Sequence, residues 1–179
     1  HQLFTGLYSS ERSKNDYEEG SHYLLKPFVE VIFPLVDAAR SSDAKKAIEI
    51  LKRLSPAFSD TGVNKDKSLK EMLHLASNHI EQLNLMRDNS TVKEILDYCS
   101  KHFLLPFSER LSDQMNRVPR SPYEDDNEEH QTEKGDWLAD EFFKLSVNDV
   151  KPYIAFLNEN SPFSTRHGAK GEEYENVLV

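Results

Sequence analysis

The stretch His22–Arg40, HYLLKPFVEVIFPLVDAAR, decides the fold. Leu24, Leu25, Phe28, Val29, Val31, Ile32, Phe33, Leu35 and Val36 crowd it. Placed on a helix they cover most of its sides, which predicts a central, largely buried helix. Pro27 fits the first turn of that helix. Pro34 lies inside the run, where it removes one hydrogen bond, so the helix is expected to kink or split there.

Outward from this stretch the apolar spacing stays helical. Ala47, Ile48, Leu51 and Leu54 mark one face of a short helix that Pro56 ends. Residues 57–67, AFSDTGVNKDK, read as a loop. Ser68 with Glu71 and Thr91 with Glu94 have the spacing of capping boxes, in which each side chain satisfies a backbone donor at a helix start. Leu69, Met72, Leu73, Ala76, Ile80 and Leu83 follow the first box, and Val92, Ile95, Leu96, Cys99 and Phe103 the second. Pro106 closes that helix, and Ser108–Arg117 adds a short helical turn. Trp137, Leu138, Phe142 and Leu145 mark a further helix. Val150, Tyr153, Ile154 and Leu157 mark the last, with Pro152 expected in its first turn. These stripes are expected core. The fold class is therefore mainly α, a bundle of about six or seven helices with a short β segment at the C-terminal end.

The chain has 179 residues, enough for one domain of ordinary size. Six Gly and eight Pro argue against collagen-like and turn-dense all-β folds. No apolar run reaches the length of a transmembrane helix, so no membrane partner is expected. The net charge of -9 argues against a free-standing nucleic-acid-binding module, which is usually basic. The single cysteine, Cys99, excludes an intramolecular disulfide and points to a reducing compartment, so the expected location is cytoplasmic. The sequence starts at His1 and stops on the β-branched run Asn176-Val177-Leu178-Val179, a strand without a partner. It therefore reads as a fragment of a larger protein.

Most candidate chemistry reduces to plain structure. His74 and His79 are five apart and point to different faces, whereas zinc-binding pairs on helices sit four apart. With no second cysteine, no metal site is expected at His22, His74, His79, His102 or His130. Cys99 shares a stripe with Ile95 and Phe103, which makes it a buried thiol rather than a nucleophile. In residues 124–129, EDDNEE, five of six are acidic. They lack the spacing and turn glycine of a calcium loop, so 118–134 is expected to be a mobile, solvated surface loop.

The tail is different. Phe163-Ser164-Thr165 can form a short strand, and Arg166-His167-Gly168-Ala169-Lys170-Gly171 a compact basic turn before the strand 176–179. Gly168 and Gly171 permit positive φ and close approach to a phosphate chain. Lys170 and Arg166 can offset phosphate charge, and Thr165 and His167 can donate hydrogen bonds. Ordinary β-turns use the same residue types.

The order Thr165-x-His167-x-x-Lys170-Gly171-x-Glu173-Tyr174 resembles motif V of superfamily 1 helicases of the UvrD/Rep/PcrA type. That motif reads approximately T-x-H-x-x-K-G-x-E-[FY] before an apolar strand. Arg166, Gly168 and Glu172 depart from its commonest form, which has an apolar residue, Ser or Ala, and Leu at those places. In this family a helical 2B domain is inserted into the RecA-like 2A domain upstream of motif V. The resemblance thus implies that residues 1–19 leave 2A, residues 20–160 form a 2B-like helical domain, and residues 161–179 return to 2A.

It also implies roles. Thr165, His167 and Lys170 would lie along single-stranded DNA, while Gly171 and Glu173 would approach ATP. A motif touching both ligands can couple them. The parent protein would be an ATP-dependent DNA helicase using ATP and Mg, with single-stranded and junction DNA as its partner and protein partners expected through the helical domain. No phosphate loop of the form G-x-x-x-x-G-K-[ST] occurs in the sequence, so no catalytic residue is expected here and the chain alone is expected to be inactive. The alternative reading is a non-enzymatic helical protein-interaction domain whose tail only resembles motif V.

Overall fold

Leu24, Phe28, Ile32 and Val36, four residues apart along the opening stretch, are each 0% exposed. The computed structural model describes residues 11–120 and 134–158. Among these residues the fold is eight α-helices without a sheet. They are α1 (Glu11–Glu18), α2 (Phe33–Arg40), α3 (Ala44–Leu54), α4 (Leu69–Asn89), α5 (Val92–Lys101), α6 (Glu109–Asn116), α7 (Lys134–Lys144) and α8 (Val147–Leu157). The expected β segment and the acidic run 124–129 lie outside the described residues.

Pro34 divides the central stretch as its chemistry requires. A π-helical turn, Phe28–Ile32, runs directly into α2, with the Phe33 N–H donating to the Phe28 carbonyl. In a regular α-helix Pro34 would crowd the Glu30 carbonyl and offer it no N–H. The wider π turn just ahead of Pro34 accommodates both problems. Burial of each of the four aligned side chains stabilises the fold by about 2 kcal/mol.

Around this axis α2 packs on α3 and α4, and α8 packs on α4 and on the π turn. The α5 and α6 helices both pack on α7. Phe28 meets Phe142 of α7 edge-on, with ring centroids 5.9 Å apart.

The helix starts follow local chemistry. In both expected capping boxes the N-cap backbone donates to the carboxylate, Ser68 to Glu71 at 2.8 Å and Thr91 to Glu94 at 2.7 Å. A third box, Ser146 with Asp149, opens α8 earlier than the sequence predicts. Pro152 consequently sits inside α8 instead of in its first turn, on an exposed side of the helix. The Ser146 cap outweighs the one hydrogen bond that Pro152 forgoes. The starts of α5 and α8 are tied together: Val92 N–H donates to the Leu145 carbonyl at 2.8 Å and Val147 N–H to the Ser90 carbonyl at 3.0 Å.

Three helix ends share one geometry. After α1, Gly20 adopts φ +75, and the N–H groups of Gly20 and Ser21 donate to the carbonyls of Tyr17 and Asp16. Ser42 after α2 and Phe103 after α5 adopt φ 59 and 53 and make the same pair of bonds. This left-handed closure satisfies carbonyls that the helix leaves open. Only at Gly20 does the residue type announce it.

Not every apolar stripe is core. On α4, Leu83 is 1% exposed, yet Leu73 is 45% and Leu69 72% exposed. The stripe starts before any other described element covers it.

Candidate functional site

The residues singled out in the tail, Thr165, His167, Lys170, Gly171 and Glu173, lie outside the described residues. What the fold positions is the place from which the tail departs. Tyr17 of α1 stacks on Tyr153 of α8, with ring centroids 4.7 Å apart. The Tyr153 hydroxyl donates to the Tyr17 carbonyl at 2.5 Å. Next to this pair Gly20 faces Leu157, and a Cβ at Gly20 would come within 2.8 Å of Leu157 Cδ1. Tyr17, assigned by the sequence reading to the segment 1–19, is thus buried in the same core as residues 24–36.

A second constellation links α4 to α5. His79 Nδ1 lies 2.8 Å from the Tyr98 hydroxyl, and the His102 ring stands 5.0 Å from His79 and 4.6 Å from Tyr98. Burial, together with the neighbouring His102, lowers the His79 pKa, so the ring is neutral at pH 7. Burial raises the Tyr98 phenol. Two neutral groups sharing one hydrogen bond join two helices; they do not make a general base of unusual strength. The spacing of Tyr98 and His102, the latter capping the end of α5, is visible in the sequence, but the approach of His79 from α4 is not. His74 is exposed, with Asn78 Nδ2 3.3 Å from its Nε2. Among the described residues no group of three or more His, Cys, Asp or Glu stands together as a metal site.

Cys99 is 0% exposed, and burial pushes its thiol up to about 12. A thiol so placed is not a nucleophile at neutral pH.

The chain on either side of 121–133 is fastened by ions. Arg117, after α6, forks onto the Asp140 carboxylate of α7 at 2.9 and 3.2 Å. Gln114 and Arg120 donate to Asp136 at 2.6 and 2.9 Å. Burial raises the Asp136 pKa, but these bonds and the two guanidinium charges more than offset it and hold the carboxyl below its usual range. The pairing needs the α6–α7 contact to assemble it, and no local pattern signals it.

Compared with family models, curated proteins and solved structures, the chain matches none. No helix among the described residues is long and apolar enough to cross a membrane.

Proposed function

We propose that this chain is the helical accessory domain of an ATP-dependent DNA helicase of the UvrD/Rep/PcrA type, followed by the segment that returns to the parent's nucleotide-binding domain. The order and spacing of Thr165, His167, Lys170, Gly171, Glu173 and Tyr174 support the activity. One observation in the fold supports the placement: residues 17–20 pack against residues 153–157, so the end of the first described helix and the last described helix lie side by side. An inserted domain must leave and rejoin its host at one place, and adjacent ends allow that without distorting either.

On this reading Thr165, His167 and Lys170 follow single-stranded DNA, and Gly171 and Glu173 approach ATP. The parent supplies the phosphate loop and the Mg site. The helical body holds DNA or protein partners and has no part in the chemical step. In the parent protein, Lys170→Ala and Glu173→Gln are each expected to lower DNA-stimulated ATP hydrolysis at least about tenfold while the helical signal in circular dichroism is unchanged. The chain alone should hydrolyse no ATP. A parent sequence without a phosphate loop upstream, or turnover indifferent to both substitutions, overturns the reading.

A non-enzymatic interaction domain is the second reading. The specific observation in its favour is the uncovered pair Leu69 and Leu73.

A further inference from the structure

The open end of α4 borders a groove of about 340 Å³ between α3, the 57–68 loop and the first turns of α4. Leu51, Phe58, Met72 and Ala76 line its floor. Leu69 and Leu73, one helical turn apart, form its lip. Lys52, Lys65 and Lys67 stand around it, exposed, with one carboxylate, Asp60, and none of the three lysines forms an ion pair with a described residue.

This basic rim is unusual for the chain. From residue 44 to residue 70 there are seven Lys and Arg against three Asp and Glu, in a protein of net charge -9. Of these, Lys52, Lys65 and Lys67 line the groove against the one carboxylate Asp60, so the rim of the uncovered apolar stripe carries net positive charge. We infer that this groove docks an acidic amphipathic peptide of a partner protein, laid down as a helix with apolar side chains one turn apart between Glu and Asp residues. The floor takes the apolar side chains, as grooves that bind amphipathic helices do. The lysines attract the acidic flanks and set the approach.

The same lysines would attract a nucleic-acid backbone, but the floor argues for peptide. It is mainly aliphatic, and its aromatic ring, Phe58, is 8% exposed and offers no face for a base to stack on. A second copy of this chain is disfavoured by the repulsion between two bodies of net charge -9.

The groove does not involve residues 161–179, so its occupant is tested independently of helicase activity. The probe is a fluorescent synthetic peptide of about four helical turns, with leucines three and four apart and glutamates between them, added to the full 179-residue chain. Fluorescence anisotropy should report saturable binding that weakens severalfold as salt rises from about 50 to about 500 mM. Leu73→Glu and the double substitution Lys52→Glu with Lys67→Glu should each weaken it at least about tenfold. All three positions are exposed, and circular dichroism should be unchanged in both variants. A peptide of the same charge with serines for leucines should bind at least about tenfold more weakly. Absence of binding, or binding indifferent to both variants, overturns the inference. So does an oligonucleotide that displaces the peptide at equal concentration, which makes the groove a nucleic-acid site. Dimerisation abolished by Leu73→Glu in sedimentation overturns it in favour of a second copy.

Discussion

The Tyr153 hydroxyl reaches across from α8 to the Tyr17 carbonyl, 136 residues away in sequence, and closes the helical body at 2.5 Å. Tyr153→Phe keeps the ring stack and removes this bond. It should cost about 1 kcal/mol in denaturant unfolding. Hydrogen exchange should speed up in α1 more than in α5, because α1 is held chiefly at this joint. Equal loss of protection in both helices would mean that α1 is not a separate edge of the fold.

Arg87 of α4 is 4% exposed, donates to Asp37 at 2.6 Å and lies over the Phe33 ring at 4.8 Å. Asp37→Asn strips the buried guanidinium of its charge partner, and the cost should be about 1 to 3 kcal/mol. Arg87→Met keeps the packing and leaves behind only a half-exposed carboxylate. It should cost less than Asp37→Asn, and paired denaturation curves measure the difference.

Burial, and then the Arg110 charge, hold the His22 imidazole down to about 4 from its ordinary 6.5, while Asp16 acts in the opposite direction. In the unfolded chain the ring takes its proton near 6.5. Between 6.5 and about 4 the unfolded state therefore binds more protons, and stability falls as pH falls through that window. The loss should be on the order of 3 kcal/mol and level off below the lower value. His79 acts with the same sign, so His22→Gln should flatten part of the slope. Denaturation midpoints at a series of pH values test this, and an imidazole signal of His22 titrating near 6.5 would contradict it.

Ser42 is exposed and held at φ 59. Glycine carries no Cβ penalty in this region, so Ser42→Gly should stabilise the protein by about 1 kcal/mol. The opposite sign is expected at Gly20, where a Cβ adds strain at φ +75 and meets Leu157. Gly20→Ala should lower stability by about 1 kcal/mol or more, measured in the same assay.

Cys99 should resist an aromatic disulfide reagent in the native protein at pH 8 and react once per chain in denaturant. Complete reaction of the native protein within seconds would show that the α5 stripe opens far more readily than a 0% exposed residue implies.

Much of the scaffold could be read locally. The central stretch, the boxes at Ser68 and Thr91, and the stop at Pro56 all appear where residue chemistry places them. Each depends on interactions within about one helical turn, which a sequence displays directly. Pro152 lies inside α8 because Ser146 starts the helix a few residues earlier, and its capping partner Asp149 is an equally local signal. The tail residues Thr165, His167, Lys170, Gly171 and Glu173 remain a reading of sequence order alone.

By itself the sequence determined the helical class, most helix starts and the buried axis from Leu24 to Val36. Tertiary structure decided which stripes become core and which stay open. Leu69, Leu73 and Leu83 carry the same side chain on one helix, yet only Leu83 is buried. Burial depends on what arrives from elsewhere in the chain, and periodicity has no access to that. The same holds for Tyr17 with Tyr153, His79 with Tyr98, and Arg117 with Asp140. Each pair is joined by helix packing, and residue spacing along the chain contains no record of it.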